Sequence, residues 1–468
     1  MQSSHAEICV IGGGPAGSAL ALRLAQLGHD VLLIERDRFP RHHVGEAFAS
    51  GIDVPLARLG VVDQVRRAGA VETAGTMRLW ATTAVECAAP GSGRAGIVVD
   101  RGEFDKVLLD RAQACGVRVA QPASVVGAHR SSAGWILRLR CGSSAAVVST
   151  RYVADASGRA GVLRGATRRT SPKTAALSGY WSSCRRDPFA RLEAAPDAWY
   201  WGTHLPGKRF VGMVFCDVEG SRRRPTIPRE TRYGELIRRS TLLAPVVAGA
   251  SLDRVVVRDA TSRAAAEPIG PDWIRVGEAS FAIDPLSSSG VQKALQTALT
   301  AAIVLHTQVT WPEDAEAAMA FYRDDQRFAI GQHAAWAASA YTQVERYAGR
   351  PFWRSRAAGA TRPVNARVSG TPPRLEQRVR VAPETRLGPV PCIVGDRIEL
   401  RAAVSHPALA RPVAFLNDVE VAPLVRSVAA GLTGDQLAAR WTTDVPIATA
   451  QAIARWLIER GILVDASG

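Results

Sequence analysis

The hydrophobic pattern at the start of the chain alternates between strand-like and helix-like segments. An apolar run at residues 8–11 is followed by the glycine-rich stretch 12–17, and then by apolar residues at helical spacing that end at Gly28. A second apolar run, residues 31–34, ends at Glu35. Short apolar runs bounded by turn residues are typical of buried strands, and helical spacing between them predicts a helix. The pattern therefore predicts a βαβ unit of a parallel sheet.

The glycines of this unit have the spacing G-x-G-x-x-G, which is typical of dinucleotide-binding turns. Gly12 allows a tight turn, Gly14 lets the backbone approach a pyrophosphate, and Gly17 allows close packing of helix on strand. The phosphates would lie at the helix N-terminus, where unpaired N–H groups favour negative charge. Glu35 follows the glycines by about 20 residues, where an acid accepts a hydrogen bond from a ribose hydroxyl. The predicted dinucleotide contacts are Gly12, Gly14, Ala16, Gly17, Glu35 and Arg36.

The end of the chain has a different pattern, with helical spacing at residues 419–430, 433–441 and 446–460 and an apolar run at 462–464. In the last of these helices Ala450, Ile453, Trp456 and Leu457 share one face. Three helices and a strand resemble a winged-helix domain, both in its peptide-recognising form and in its DNA-binding form. We therefore expect a winged-helix-like domain at residues 391–468.

Composition adds a charge to this picture. The chain has 468 residues, enough for about three domains. Its net charge is +15 and its pI is near 10.2, which admits nucleic acid, a membrane surface or an acidic protein as partner. Residues 346–386 hold ten arginines and two acids, together with several prolines, and this composition predicts a basic linker or arm at 346–390. Residues 401–468 hold six arginines and six acids, which disfavours nucleic acid.

The seven cysteines are scattered and never have CxxC spacing, so we expect neither a disulfide framework nor a structural metal site. The chain start has no basic segment typical of a signal peptide, and no apolar run reaches the ~18 residues of a membrane-spanning helix. We therefore expect a cytoplasmic protein with reduced thiols and no membrane partner.

Three later segments resemble motifs of the p-hydroxybenzoate hydroxylase superfamily, which includes aromatic hydroxylases and flavin-dependent halogenases. Residues 99–105 (V-D-R-G-E-F-D) resemble its R-x-x-F-D helix start, and residues 154–159 (A-D-A-S-G-R) its D-[AG]-S-G turn. Residues 275–291 resemble its G-D-A and D-P-x-x-x-x-G segments, with Glu278 in place of the usual aspartate. The resemblance implies that the dinucleotide is FAD. The residues it assigns to FAD are Arg101, Asp155, Gly277, Glu278, Asp284, Pro285, Gly290 and Val291.

The segment F-P-R-H-H-V-G-E-A at residues 39–47 resembles the strap that lies against the flavin in halogenases and their hydroxylase relatives, and it adds Arg41 to the FAD contacts. Halogenases also carry a W-x-W-x-I-P pattern, which here becomes W-Y-W-G-T-H-L-P at 199–206, and a lysine shortly after the strap. This chain has no lysine between Ala47 and Arg101. Arginine replaces such a lysine poorly, because its guanidinium stays protonated and planar. The sequence therefore favours hydroxylation of an aromatic ring over halogenation.

Aromatic and proton-handling residues are the remaining candidates. The expected substrate pocket consists of Trp181, Trp199, Tyr200, Trp201 and His204, although each aromatic could equally be core packing in a sheet. The expected catalytic residues are His43, Glu46 and Glu72. Glu46 could instead cap a helix or bind flavin, Glu72 could be an exposed strand residue, and His43 a surface residue.

Together these features predict an α/β protein in which a Rossmann-like FAD-binding domain is interleaved with a mixed β-sheet substrate domain. The expected boundaries are 1–170 and 260–345 for the FAD-binding domain and 171–259, with part of 70–98, for the substrate sheet. No second glycine fingerprint follows, so the electrons would come from a transient NAD(P)H site or from a separate reductase.

The missing lysine and the appended domain resemble the flavin monooxygenases that hydroxylate a protein tryptophan during tryptophylquinone biogenesis. The resemblance implies a protein or peptide substrate. The acidic docking surface of that substrate would meet the basic charge of this chain. The alternatives are a small-molecule aromatic hydroxylase, a halogenase of secondary metabolism, or a flavin-stabilised assembly factor without catalysis.

Overall fold

The computed structural model describes residues 2–41, 43, 47–88, 96–184, 187–218, 227–359, 374–429, 431–443 and 445–466. The chain forms two compact units. Unit 1 consists of residues 1–306 and 322–360, and unit 2 of residues 307–321 and 361–468.

The helices of the described residues are α1 (Pro15–Gln26), α2 (Asp53–Leu59), α3 (Val62–Arg67), α4 (Arg101–Ala114), α5 (Arg229–Ile237), α6 (Ala244–Val247), α7 (Gly290–Thr310), α8 (Ala315–Thr342), α9 (Pro351–Ala357), α10 (Val421–Arg426), α11 (Gly434–Arg440) and α12 (Ile447–Glu459). Among these residues, every helix falls short of the combined length and apolarity that crossing a bilayer requires.

The strands of the described residues are β1 (Gln2–Ile11), β2 (Val31–Ile34), β3 (Ala47–Phe48), β4 (Val71–Glu72), β5 (Gly75–Leu79), β6 (Glu86–Ala88), β7 (Ile97–Val98), β8 (Arg118–Ala120), β9 (Ser124–Ser131), β10 (Gly134–Cys141), β11 (Ser144–Asp155), β12 (Thr167–Arg169), β13 (Thr174–Ser182) and β14 (Phe189–Ala195). They continue with β15 (Ala198–Leu205), β16 (Arg209–Asp217), β17 (Ser251–Asp259), β18 (Arg263–Ala265), β19 (Ile269–Gly270), β20 (Trp273–Arg275), β21 (Phe281–Ala282), β22 (Val379–Val381), β23 (Arg386–Val394), β24 (Arg397–Ser405), β25 (Phe415–Leu416), β26 (Val419–Glu420) and β27 (Leu463–Asp465).

The main sheet of unit 1 is a Rossmann-like core. Its strand order is β19-β20-β11-β1-β2-β8, and β1 runs parallel to both β2 and β11. Every residue of β2 is buried, as expected for a parallel strand that is covered on both faces. Helix α1 connects β1 to β2, which confirms the predicted βαβ unit. The carboxyl ends of β1, β2 and β11 therefore meet at the edge of the sheet that carries the glycine-rich turn.

A second sheet of unit 1 has the order β17-β13-β16-β15-β14-β5-β6. All of its pairings are antiparallel except β5 with β14, so the sheet is mixed, as predicted. One face packs against α5 and its neighbours through Tyr233 and Ile237. The other face packs against residues of α8 and α9, including Tyr341 and Trp353.

The prediction of a linker at 346–390 is wrong at both of its described ends, which are folded. The Arg346 guanidinium donates to the carbonyls of Leu79, Trp80, Thr82 and Ala194. These bonds fix the segment at Arg346 to the ends of β5 and β14. Residues 351–357 form α9, whose Phe352, Trp353 and Arg356 are buried. Near the other end, β22 pairs with β27. Composition could not predict this, because a guanidinium that is satisfied by backbone carbonyls can be buried in a folded segment.

The packed core of unit 2 contains helices close to those predicted at the end of the chain. Helix α11 begins with a capping box between Thr433 and Gln436, and α12 buries Ala450, Ile453 and Leu457. Two details differ from the prediction: β23 and β24 form a long hairpin, and β27 pairs with β22, which precedes the helices. The order of three helices and a strand is confirmed, whereas assignment as a winged helix stays a prediction.

Candidate functional site

The glycine-rich turn has the conformation that its spacing predicts. Gly12 has φ +106°, and a Cβ there would lie 2.6 Å from the Ala156 carbonyl oxygen. A Cβ on Gly17 would lie 1.8 Å from the Gly12 oxygen, so both positions require glycine. Gly14 is the N-cap of α1, and Pro15 follows at the first helical position. The N-terminus of a twelve-residue helix thus opens beside bare backbone, which suits a phosphate.

Glu35 lies at the carboxyl end of β2, where the sequence predicts a ribose contact. Its carboxylate is buried and accepts the Gly13 N–H at 2.6 Å and the Asp37 N–H at 2.8 Å. These bonds fix the carboxylate against the glycine turn, and each oxygen retains a lone pair for another donor. Arg36 is exposed and pairs with Asp37 at 3.4 Å, and its contact with FAD stays a prediction.

Two arginines of the predicted FAD site share one buried carboxylate. Arg101 donates to Asp105 through Nε at 2.9 Å and through a terminal nitrogen at 3.1 Å. The Arg41 guanidinium lies 3.7 Å from the same carboxylate and 3.5 Å from Asp37. It also reaches the glycine turn, because a Cβ on Gly14 would lie 3.4 Å from its terminal nitrogen. Asp105 therefore orients a cation beside the helix N-terminus.

Asp155 has a local role in the structure. It lies at the carboxyl end of β11 and is fully buried. One carboxylate oxygen accepts the Ser157 N–H and hydroxyl, and the other accepts the Leu163 N–H at 2.8 Å. The carboxylate thus closes the turn that follows its strand, and a direct FAD contact stays a prediction.

The segment at Gly277 approaches the start of α1. Gly277 has φ +63°, and a Cβ there would lie 2.7 Å from the Ala16 side chain, so this crossing also requires glycine. Glu278, which replaces the aspartate of the related motif, pairs with Arg159 at 3.4 Å. The longer acid therefore forms an ion pair with an arginine of the turn that follows β11.

The D-P segment is anchored to α8. Asp284 accepts the Leu286 N–H at 3.0 Å and the Tyr341 hydroxyl at 3.1 and 3.2 Å. Burial raises the pKa of Asp284 above its ordinary value, and burial together with the adjacent Asp284 carboxyl raises the pKa of Tyr341. Pro285 opens a short 3₁₀ turn, after which Gly290 and Val291 begin α7. Sequence reasoning missed Tyr341, because no local motif connects it to Asp284.

The predicted substrate pocket is divided by the second sheet. Trp199 and Trp201 alternate with Tyr200 along β15 and therefore point to the opposite face. Trp181 and His204 both lie opposite Phe210 and share the face of Tyr200. Trp181 donates its indole N–H to the Tyr233 hydroxyl at 3.1 Å, in the core beneath α5. The prediction of one pocket with five members is therefore wrong, because it ignored the period of two along a strand.

The face with Trp199 and Trp201 carries an aromatic cluster that the sequence did not reveal. Trp199 stacks on Phe215 at 3.7 Å between ring centroids and meets Trp80 edge-on at 6.4 Å. Trp353 lies 5.3 Å from Trp80 and 5.8 Å from Tyr341. The cluster thus connects the sheet face to the tyrosine that binds Asp284. Its members come from distant parts of the chain, so no sequence spacing signals it.

A small cavity of about 40 Å³ lies where β4 and the end of β15 meet. Its lining includes Glu72, Asp187 and His204. Asp187 is occupied by Arg191 at 2.8 Å and by the Phe189 N–H, whereas Glu72 is exposed. Two predicted residues, Glu72 and His204, are thus brought together. His43 is exposed and is absent from this lining, and Glu46 lies outside the described residues.

FAD fits the residues around the glycine turn. The turn leaves its backbone accessible at Gly14, the Glu35 carboxylate is held beside it, and Arg41 supplies a cation. The buried Nε of Arg41 has no hydrogen-bond partner among the described residues, which leaves it a donor for a phosphate oxygen. These residues would hold the adenosine and pyrophosphate of FAD. The backbone at Gly277 and the start of α7 would face the rest of the cofactor.

Comparison with known families gives a match of residues 5–234 to the FAD binding domain. Among curated proteins, the chain is 29% identical over 383 residues to a tryptophan 2-halogenase from Chondromyces crocatus, covering 75% of this chain and 70% of the relative. It is also 29% identical over 356 residues to the flavin-dependent halogenase armH3 from Armillaria mellea, covering 68% and 70%.

Two solved structures match nearly the whole chain. The first is the peptidyl tryptophan dihydroxylase QhpG, described as essential for tryptophylquinone cofactor biogenesis, with a TM-score of 0.76 and 26% identity over 98% of this chain and 100% of the other. The second is CmlS, a flavin-dependent halogenase, with a TM-score of 0.80 and 22% identity over 99% and 97%. The two matches support the fold along both units.

Proposed function

Since the chain is an FAD-dependent oxidoreductase of the p-hydroxybenzoate hydroxylase superfamily, which includes aromatic hydroxylases and halogenases, we propose that it hydroxylates an aromatic ring. The proposed ring is the indole of a tryptophan that is carried by a protein or peptide. The balanced reaction consumes one O₂, two electrons and two protons for each C–H converted to C–OH, with release of water. The electrons come from NAD(P)H or from a separate reductase.

The observation that carries the proposal is the lysine-free, acidic cavity at the end of β15. Its lining contains Glu72, Asp187 and His204 and no lysine. The four lysines of the chain are placed elsewhere: Lys106 is partly exposed, Lys173 and Lys208 are exposed, and Lys293 is buried against Phe281. By the family resemblance, a halogenase needs a lysine to pass the halogen to its substrate. Direct oxygen transfer needs only an oriented ring and a proton acceptor.

Glu72 is our candidate for the proton acceptor. Its carboxylate is exposed at the cavity, where it could accept a hydrogen bond from an indole N–H and so orient the ring. The Glu72 backbone is fixed by pairing with Ile97 in β7. When bound, FAD supplies the two-electron activation of oxygen that delivers an electrophilic oxygen atom.

The support for a substrate ring that is carried by a polypeptide comes from a solved structure. The match to the peptidyl tryptophan dihydroxylase, which includes the region of unit 2, supports the same substrate class.

Halogenation is the second candidate, and a specific observation favours it. Trp199 and Trp201 keep the tryptophan pair of the halogenase pattern on one face of β15. The curated relatives described above are halogenases as well. Hydroxylation and halogenation are therefore the two outcomes that an experiment must separate.

The test is intact-mass analysis of the product. The full chain is incubated with FAD, a flavin reductase with its nicotinamide donor, oxygen and bromide, together with tryptophan-containing polypeptides or free tryptophan. Gain of one or two oxygen atoms in a polypeptide supports the proposal. Replacement of hydrogen by bromine identifies the second candidate. Turnover of free tryptophan alone would refute the polypeptide substrate.

A pair of variants tests the role of Glu72. Glu72→Gln keeps the shape of the side chain but removes its proton affinity, so we expect kcat to fall about 10²–10⁴-fold with FAD binding unchanged. Glu86→Gln is the matched control, because Glu86 is also an exposed strand glutamate of unit 1 but lies outside the cavity lining. Equal activity of the two variants would remove Glu72 from the mechanism.

A further inference from the structure

A cavity of about 330 Å³ lies in unit 1 between the turn after β11 and the strands β12 and β18. Its lining includes Arg159, Arg164, Arg263 and Arg275, and we call it the arginine cavity. Its volume is at the lower end of the ~300–1,000 Å³ that is typical of small-molecule sites. It does not include the glycine turn, Glu35 or Arg41 in its lining, so it is separate from the proposed pyrophosphate site.

The arginines of this cavity are only partly neutralised. Arg159 has two carboxylates nearby, Glu278 at 3.4 Å and Asp259 at 3.6 Å. Arg275 donates to the carbonyls of Leu163 and Arg164 at 3.1 and 3.2 Å, and the nearby carboxylates of Asp155 and Glu267 partly offset its charge.

Arg164 is exposed at the cavity wall. In the part of the chain that the structure describes, Arg164 has no ion pair with a carboxylate. Its guanidinium is therefore available to an anion in the cavity.

A fifth arginine faces the same side. Strands β12 and β18 pair with Thr167 opposite Ala265 and Arg169 opposite Arg263. Thr167, Ala265 and Arg263 all line the cavity, and residues two apart on a strand share a face, so Arg169 projects beside Arg263 at the rim. Like charges directly opposite on two strands repel each other. A bound anion would relieve this repulsion.

The turn between the arginines allows close approach of a ligand. Gly158 and Gly161 line the cavity with φ +67° and +59°, and a Cβ on either would meet no heavy atom within 4 Å. The wall here is bare backbone beside open space. Planar guanidinium groups match the oxygen geometry of phosphate, and they bind it in a bidentate manner.

We propose that the arginine cavity is a binding site for a phosphate group, either free or as part of a small phosphate ester, held by Arg164 and Arg263 with Arg169 at the rim. The cavity adjoins Glu278, which the family resemblance assigns to FAD, but its lining leaves out the glycine turn, Glu35 and Arg41. The proposal does not depend on which reaction the enzyme performs.

The experiment uses the full chain saturated with FAD and titrated calorimetrically at low ionic strength with inorganic phosphate and with ribose 5-phosphate. We expect saturable binding. Equal affinities identify free phosphate as the ligand, and tighter binding of ribose 5-phosphate identifies an ester. Arg164→Gln and Arg169→Gln should each weaken binding about ten-fold, since each removes a charge-assisted contact. Arg58→Gln, an exposed arginine on α2 outside the cavity, should bind as the parent does.

Three results would overturn the proposal. The first is that neither probe binds saturably to the FAD-saturated protein. The second is that the Arg164 and Arg169 variants, with unchanged circular dichroism, bind as Arg58→Gln does. The third is that phosphate displaces FAD in proportion to its binding, which would assign the anion to the cofactor site.

Discussion

Asp105→Asn is the sharpest test of the structure around the glycine turn. Asp105 is fully buried on α4 and holds Arg101, which is 4% exposed, through two hydrogen bonds of 2.9 and 3.1 Å. It also lies 3.7 Å from Arg41. Asparagine has nearly the same shape, so the substitution removes one negative charge and one acceptor while it leaves the packing in place.

The expected cost follows from the burial of the pair. Removing one partner of a buried ion pair costs about 3–5 kcal/mol, because the remaining charge is left uncompensated away from water. The asparagine carbonyl still accepts one bond from Arg101, which places the expectation near the lower value, about 3 kcal/mol. A loss of that size lowers the folding equilibrium constant by about two orders of magnitude.

Helix α4 offers a matched control one turn further along. Lys106 and Asp110 form an ion pair with the same i,i+4 spacing, but both side chains are substantially exposed. Such a pair contributes only about 0.3–0.5 kcal/mol. Asp110→Asn should therefore change the free energy of unfolding by about that amount.

The assay is urea unfolding followed by circular dichroism, without FAD and at a fixed saturating FAD concentration. The difference between the variants should be larger with FAD, because Asp105→Asn also releases Arg41 and weakens cofactor binding, which stabilises only the folded state. If Asp105→Asn costs no more than Asp110→Asn, the Arg41–Asp105–Arg101 arrangement does not organise this site.

Three further substitutions test other parts of unit 1. Trp199→Ala should cost about 3–5 kcal/mol of unfolding free energy in urea, because Trp199 is buried and stacks on Phe215, and a cost below 1 kcal/mol would contradict this packing. Asp284→Asn should stabilise the protein increasingly as the pH rises above the ordinary carboxyl range. The raised pKa of Asp284 beside Tyr341 means that the parent loses stability when this carboxyl ionises, so a pH-independent difference between variant and parent would refute the assignment. Burial lowers the pKa of Lys293 to about 8, so this lysine adds stability as the pH rises from about 8 towards its ordinary value of 10.5. Lys293→Met should remove that increment, measured as the difference in unfolding free energy across this range, and an unchanged slope would contradict it.

Local motifs were readable from the sequence because their physics is local. The turn at Gly12 and Gly17 needs residues without a Cβ, and the apolar runs on either side follow the periods of strand and helix. The βαβ unit and the position of Glu35 at the strand end followed from these constraints. Asp105 was part of the R-x-x-F-D pattern, but its role as a shared anchor for two arginines required the folded structure.

Contacts between distant segments could not be predicted. Tyr341 meets Asp284, and Arg346 meets the carbonyls of Trp80 and Ala194, across long stretches of chain that carry no common pattern. The division of the pocket residues was different, since the alternation of Trp199, Tyr200 and Trp201 along one strand already implies opposite faces. Residues that are adjacent along a strand project their side chains to opposite faces of the sheet, so they do not line one pocket.

The aromatic cluster gives the protein an optical reporter of cofactor binding. The Trp80 ring centroid lies 5.3 Å from that of Trp353 and 6.4 Å from that of Trp199. At these distances the excitation energy of one indole can transfer to the others before emission. Oxidised flavins absorb where tryptophan emits, and Tyr341 connects this cluster to the segment that precedes α7. Cofactor loading should therefore dim these three tryptophans together, which would allow FAD uptake to be followed in real time without a label.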